Sequence, residues 1–117
     1  MMEKRIQASV LLSFYGPLIT QRQRQMLCAY YEEDLSLSEI AELNGMTRQA
    51  AHDAIRRGEN KLLRMEEKLN LHARWARFCE QLAQCQAHLQ KGDVDLASDA
   101  IDRILEQEQA DALPFDV

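Results

Sequence analysis

Three of the four glycines, at positions 16, 45 and 92, stand where one stripe of apolar residues ends and another begins; Gly16 is followed by one of only two prolines. Between these breaks the apolar residues recur every three or four positions, the period of a helix with one buried side. A chain so poor in turn formers, and dominated by Leu, Ala, Glu, Gln and Arg, has few ways to build a sheet. The expected fold class is all-α. At 117 residues the chain has the size of one ordinary domain, which excludes most multidomain enzymes.

The first stripe, Ile6, Val10 and Phe14 with Leu11 beside them, predicts a helix from about Lys4 to Tyr15 that Gly16-Pro17 closes. A second helix starts at Thr20, where Thr20 and Gln23 form a capping box and Met26, Leu27, Tyr30 and Tyr31 mark its buried side. Ser36 and Glu39 repeat the box for a third helix, with Leu37, Ile40 and Ala41 inward and Asn44-Gly45 as its stop. Thr47 opens a long fourth helix on the stripe Ile55, Gly58, Leu62, Met65 and Leu69. The phase then breaks. Leu71, Trp75, Phe78, Leu82, Cys85 and Leu89 begin two residues after Leu69 and lie on another side of any continuous helix, so a bend is expected near Asn70. Lys91-Gly92 ends this fifth helix, Asp93 is the candidate N-cap of the last, and Val94, Ala97, Ile101 and Ile104 are its expected inward side.

Residues 38–55, SEIAELNGMTRQAAHDAI, have the grammar of a helix-turn-helix. Small Ala41 lets the second helix approach, Gly45 supplies a turn at positive φ, Met46 fills the corner, and Ala51 and Ile55 face the core. That leaves Thr47, Arg48, Gln49, His52, Asp53 and Arg56 outward at the start of the following helix, with Arg57 continuing the basic character. Side chains in this place read base edges and phosphates in helix-turn-helix proteins. Arg48 suits guanine and Gln49 adenine, while His52 and Arg56 suit phosphate. Two plainer readings stand beside this: an ordinary helical hairpin with a glycine turn, and a merely solvated His52.

The helix from Thr20, the second cap at Ser36 and the basic continuation Arg56-Arg57, Lys61, Arg64 together resemble the trihelical region 4 of bacterial sigma factors, over roughly residues 18–63. With Ser13-Phe14-Tyr15-Gly16-Pro17-Leu18-Ile19-Thr20, Gln23-Arg24-Gln25, the run from Tyr30 to Ala41 and Arg48-Gln49-Ala50-Ala51-His52-Asp53, the whole chain is similar to the YlxM family. The resemblance implies a small helical protein whose genes neighbour those of the signal recognition particle GTPases, and which regulates or assists that pathway. DNA or the particle's RNA is then the expected partner, and its GTPase a possible one. The alternative is an adaptor that touches the GTPase or RNA without binding DNA. Two departures bear on the packing: Asn44 occupies a position usually apolar, and Ala51 one usually Val. Asn44 can instead serve as a polar C-cap.

Charge divides the chain into an expected helix-turn-helix region (1–69), a coiled-coil-like helical pair (70–110) and a tail (111–117). The first part carries 10 basic and 10 acidic residues, the rest 4 and 9, for a formal net charge of −5. That total argues against a nucleic-acid coat protein or a polybasic membrane binder. Asp93, Asp95, Asp99 and Asp102 read as a solvated helix face. Two long stripes exceed what one terminal helix can cover, so Leu71, Trp75, Phe78, Leu82 and Leu89 are the expected interface of a homodimer. Cys79, Cys85 and His88 invite a zinc reading, yet Cys79 and Cys85, six residues apart and about 240° around a helix, share no ligand face and read as buried thiols. With Cys28 they make an odd number after a start without signal-peptide character, which points to a reducing cytoplasm. No apolar run is long enough for membrane insertion. No phosphate loop, serine elbow or His-Glu metal motif is present, so neither catalysis, metal nor cofactor is expected.

Overall fold

The computed structural model describes residues 4–111. In chain order these form α1 (Lys4–Tyr15), a 3₁₀ turn (Gly16–Leu18), α2 (Gln21–Tyr31), α3 (Leu37–Leu43), α4 (Arg48–Leu69), α5 (Leu71–Gln90) and α6 (Val94–Asp111). The expected all-α class holds, with no strand among the described residues. Two compact units divide between His72 and Ala73.

In the first unit α4 packs against α1, α2 and α3. Both predicted capping boxes form: the Thr20 and Ser36 side chains accept from the backbone N–H of Gln23 and Glu39, whose side chains reach back to the cap N–H groups. Each box satisfies backbone donors that the first helical turn leaves unpaired. Leu11, Leu27, Ile40, Ala51, Ile55 and Leu62 form the heart of the core. Gly58 lies where α4 meets Leu27, with so little room that an added Cβ would stand 2.9 Å from Leu27 Cδ1.

The buried side of α1 differs from the expected stripe. Ala8, Leu11, Leu12 and Tyr15 are buried, Val10 and Phe14 lie on the flank, and Ile6 is 51% exposed. The difference turns on Tyr15, fully buried although it carries a hydroxyl. That hydroxyl donates to Glu66 Oε1 and accepts from the Leu71 N–H at 3.0 Å, so the burial leaves no polar atom unpaired. Glu66 Oε1 also accepts from the His72 N–H at 3.0 Å, and the His72 ring stands edge-on to Phe14 at 5.5 Å. These bonds fasten the end of α4 to α1. Asn70, left-handed at φ 54°, makes the break expected there.

The second unit buries little. Cys85, Ala100 and Ile104 form a small cluster with Phe78 against it, and two ion pairs, Arg74–Glu108 at 3.0 Å and Arg77–Asp111 at 2.7 Å, tie α5 to α6. Ala97 and Ala100 with Ile104 are the buried side of α6, while Val94 and Ile101, expected inward, are exposed. The physical reason is helix geometry: Ile101 and Val94 stand about 40° and 60° around α6 from Ala97, on the side away from Ala100, and so fall on the flank of the buried side. Cys79 is exposed, contrary to the reading of both C-terminal thiols as buried, because six residues around a helix cannot bring both to one side. Asp111 ends α6; the remainder of the expected tail lies outside the described residues.

Candidate nucleic-acid interface

The turn that presents α4 is fixed by backbone hydrogen bonds. Gly45 adopts φ 62°, its N–H bonds to Glu42 O at 3.3 Å and that of Met46 to Ala41 O at 2.9 Å, the paired closure of a Schellman motif. Asn44 is the polar C-cap the sequence allowed: its Nδ2 donates to Ile40 O at 2.8 Å. Thr47 caps α4 by accepting from the Ala50 N–H at 3.1 Å, which leaves its own hydroxyl proton to donate outward.

With Ala51 and Ile55 in the core, α4 carries Gln49, Asp53, Arg56 and Arg57 on its solvent side; Arg48, seven residues before Ile55 and so in line with the buried stripe, stands in the first turn, and all five are exposed. His52 is half-buried beside them. Asp53 is the organiser of this face. Its Oδ1 accepts from Gln49 Nε2 at 3.0 Å and lies 3.3 Å from His52 Nδ1, and the His52 contact, helped by Gln49 and by the charge of Arg57, holds its carboxyl below the usual aspartate range. Arg48 and Arg56 make no hydrogen bond or ion pair among the described residues. The seven candidates thus divide into positioned groups (Thr47, Gln49, His52, Asp53) and cations turned to solvent (Arg48, Arg56, Arg57).

Sequence reasoning missed what lies beside His52 and Arg56. A cavity of about 350 Å³ is lined there by residues from four helices, among them Arg5, Tyr30, Tyr31 and Glu59. Arg5 donates to Tyr30 O at 2.7 Å, pairs with Asp34 and lies 5.3 Å over the Tyr30 ring. Tyr31 donates to Glu59. The available signal was the Tyr30-Tyr31 pair closing an amphipathic helix, which reads as core until its polar neighbours are seen. Of the expected dimer residues, Leu71, Trp75, Leu82 and Leu89 are exposed and Phe78 is half-buried. Among the described residues no group of three His, Cys, Asp or Glu could hold a metal ion, and no helix is long and apolar enough to cross a membrane.

A capped short helix, a glycine turn and a long helix with a polar outer face on a three-helix core define a helix-turn-helix protein. The chain belongs to the UPF0122 family, described as "Putative helix-turn-helix protein, YlxM / p13 like", whose sequence model matches residues 2–101. That family is not an enzyme family. Similar relatives include a UPF0122 protein of Symbiobacterium thermophilum, 42% identical over 80% of this chain and 87% of the relative. UPF0122 proteins of Clostridium botulinum and Clostridium acetobutylicum are each 51% identical, over 60% and 65% of this chain. The match spans slightly less than two thirds of each of these clostridial relatives, 64% and 66%.

Proposed function

We propose that this protein is a regulator that binds nucleic acid through the outer face of α4. The observation that carries the reading is the pairing of two uncommitted guanidinium groups, Arg48 and Arg56, with two polar side chains, Gln49 and His52, already ordered by Asp53, at the start of a helix held by a rigid turn. Ordered side chains lose little entropy on binding, and exposed cations bring the salt-dependent attraction to phosphate. Arg48 and Gln49 then read base edges, Thr47, Arg56 and Arg57 hold phosphates, and Asp53 positions its neighbours. The pathway is that of the signal recognition particle, as the YlxM resemblance implies, with DNA or the particle's RNA as ligand.

A second reading makes the protein an adaptor for the particle's GTPase, docking through α5 and α6. The exposed apolar residues and acidic excess of that unit favour it. Binding of labelled DNA and RNA across a salt series tests the first reading. Affinity should fall steeply with salt, Arg48→Glu should abolish it while the melting temperature holds, and Arg57→Gln should reduce the salt slope by about 1. Unchanged binding by Arg48→Glu rejects it. Recovery of the GTPase from nuclease-treated lysate, with no nucleic-acid affinity in the purified protein, establishes the adaptor.

A further inference from the structure

We propose that the cavity beside α4 receives one unpaired nucleotide of the bound strand, its base against the aromatic wall of Tyr30 and His52 and its phosphate on Arg56; this rests on the nucleic-acid reading above. The volume of about 350 Å³ sits near the lower end of the roughly 300–1,000 Å³ typical of small-ligand sites, a size suited to a single unit of a polymer. The lining separates into groups already engaged and groups left to bind. Arg5 is committed to Tyr30 O and Asp34, and Tyr31 to Glu59, so these contacts hold the walls in place. Arg56 and the Tyr30 hydroxyl make no hydrogen bond among the described residues, and His52, engaged through Nδ1, keeps Nε2 for a ligand. The Glu59 carboxylate, already held by Tyr31, disfavours phosphate on its side of the cavity, which leaves phosphate to Arg56.

Continuity with the outer face decides between a free nucleotide and one belonging to a strand. His52 and Arg56 line the cavity and also belong to the candidate interface, so a strand lying along α4 can place an unstacked base in the cavity without leaving that face. Stacking on aromatic rings tolerates any base and is the usual means of holding unpaired nucleotides.

The test uses the full-length protein and two labelled RNA hairpins that differ by one bulged nucleotide, compared by fluorescence anisotropy at one salt concentration. The bulged hairpin should bind about tenfold more tightly. Tyr30→Leu should reduce it to the level of the paired hairpin, Tyr30→Phe should retain most of the preference, and Arg48→Glu should abolish binding of both. His52→Leu provides a second probe of the wall if Tyr30→Leu does not fold. Equal binding of the two hairpins by the wild type overturns the proposal and leaves the nucleic-acid reading intact. Failure to bind either overturns both. Saturable binding of adenosine or guanosine monophosphate without any bulge preference overturns the assignment to a strand.

Discussion

Tyr15 shows how one polar atom can decide which side of a helix is buried. Its ring fills the core only because Glu66 and the Leu71 N–H take both hydrogen-bonding roles of the hydroxyl. Tyr15→Phe keeps the ring and leaves the Leu71 N–H without its acceptor, while Glu66 Oε1 keeps the His72 N–H, so denaturant unfolding should show a loss of about 1–2 kcal/mol. Burial, reinforced by the Glu66 hydrogen bond, raises the Tyr15 phenol above its ordinary pKa. A raised folded value means that the stabilisation is complete below the unfolded pKa near 10 and is lost as pH rises through the folded value. Unfolding titrations at pH 8 and at pH 11 should therefore differ more for wild type than for Tyr15→Phe; equal differences refute the coupling. Asp53 has the opposite sign. Its carboxyl is held low, so its contacts with His52 and Gln49 persist above the ordinary aspartate range and are lost only as pH falls through the lowered value. The Gln49 side-chain amide resonances, followed by NMR against pH, should report that midpoint. A midpoint at or above the ordinary aspartate pKa contradicts the ordering role.

Gly45 and Gly58 look alike in the sequence and do different work in their elements. A Cβ at Gly45 meets nothing within 4 Å, yet φ 62° strains any L side chain, so Gly45→Ala should cost about 1–2 kcal/mol through the backbone alone. At Gly58 the helical backbone is ordinary and space is the constraint. Overpacking against Leu27 costs about 1–3 kcal/mol and exceeds the gain of about 1 kcal/mol in helix propensity, so Gly58→Ala should destabilise. The double-mutant cycle separates the two causes: in a Leu27→Ala background the Gly58→Ala penalty should vanish while that of Gly45→Ala persists. Persistence of both would disprove the packing account. Such elements were legible where a residue type acts locally. The caps at Thr20, Ser36 and Thr47, the stop at Asn44-Gly45 and the break at Asn70 depend on neighbours within a few positions, and the outward set Gln49, Asp53, Arg56 and Arg57 follows from Ala51 and Ile55 facing in. The buried side of α1 was not legible, because it depends on a bond between residues 15 and 66. The cavity was not legible either, since Arg5, Tyr30 and Glu59 meet only after three helices have packed.

At the scale of the whole molecule, the unit that begins at Ala73 presents a physical problem that a second copy of the chain would solve. About 40 residues with a three-residue buried cluster fall in the size range where domains usually need oligomerisation, metal or disulfides to hold together, and the cysteines here are unpaired thiols. Trp75, Leu82, Leu89, Ile101 and Leu105 remain exposed, and the groove that holds Leu82, Leu89 and Ile101 is completed by Cys79, Ala83, Cys85 and Gln86, with no charged residue among them. An uncharged patch can face its own copy across a two-fold axis without opposing like charges, even in so acidic a segment. The homodimer expected from the helical stripes would pair through this face, an expectation that the following measurements test. Sedimentation equilibrium at micromolar concentration should give twice the chain mass. Leu82→Glu with Leu89→Glu should give the monomer, because four carboxylates, two from each protomer, would then be buried unpaired in the interface. If each protomer contributes one α4 to the same nucleic acid, that variant should also lose affinity through lost avidity, whereas Arg48→Glu should lose affinity and remain a dimer. A wild type that stays monomeric at tens of micromolar rejects the self-pairing. The same apolar face would then be the docking surface of the adaptor reading.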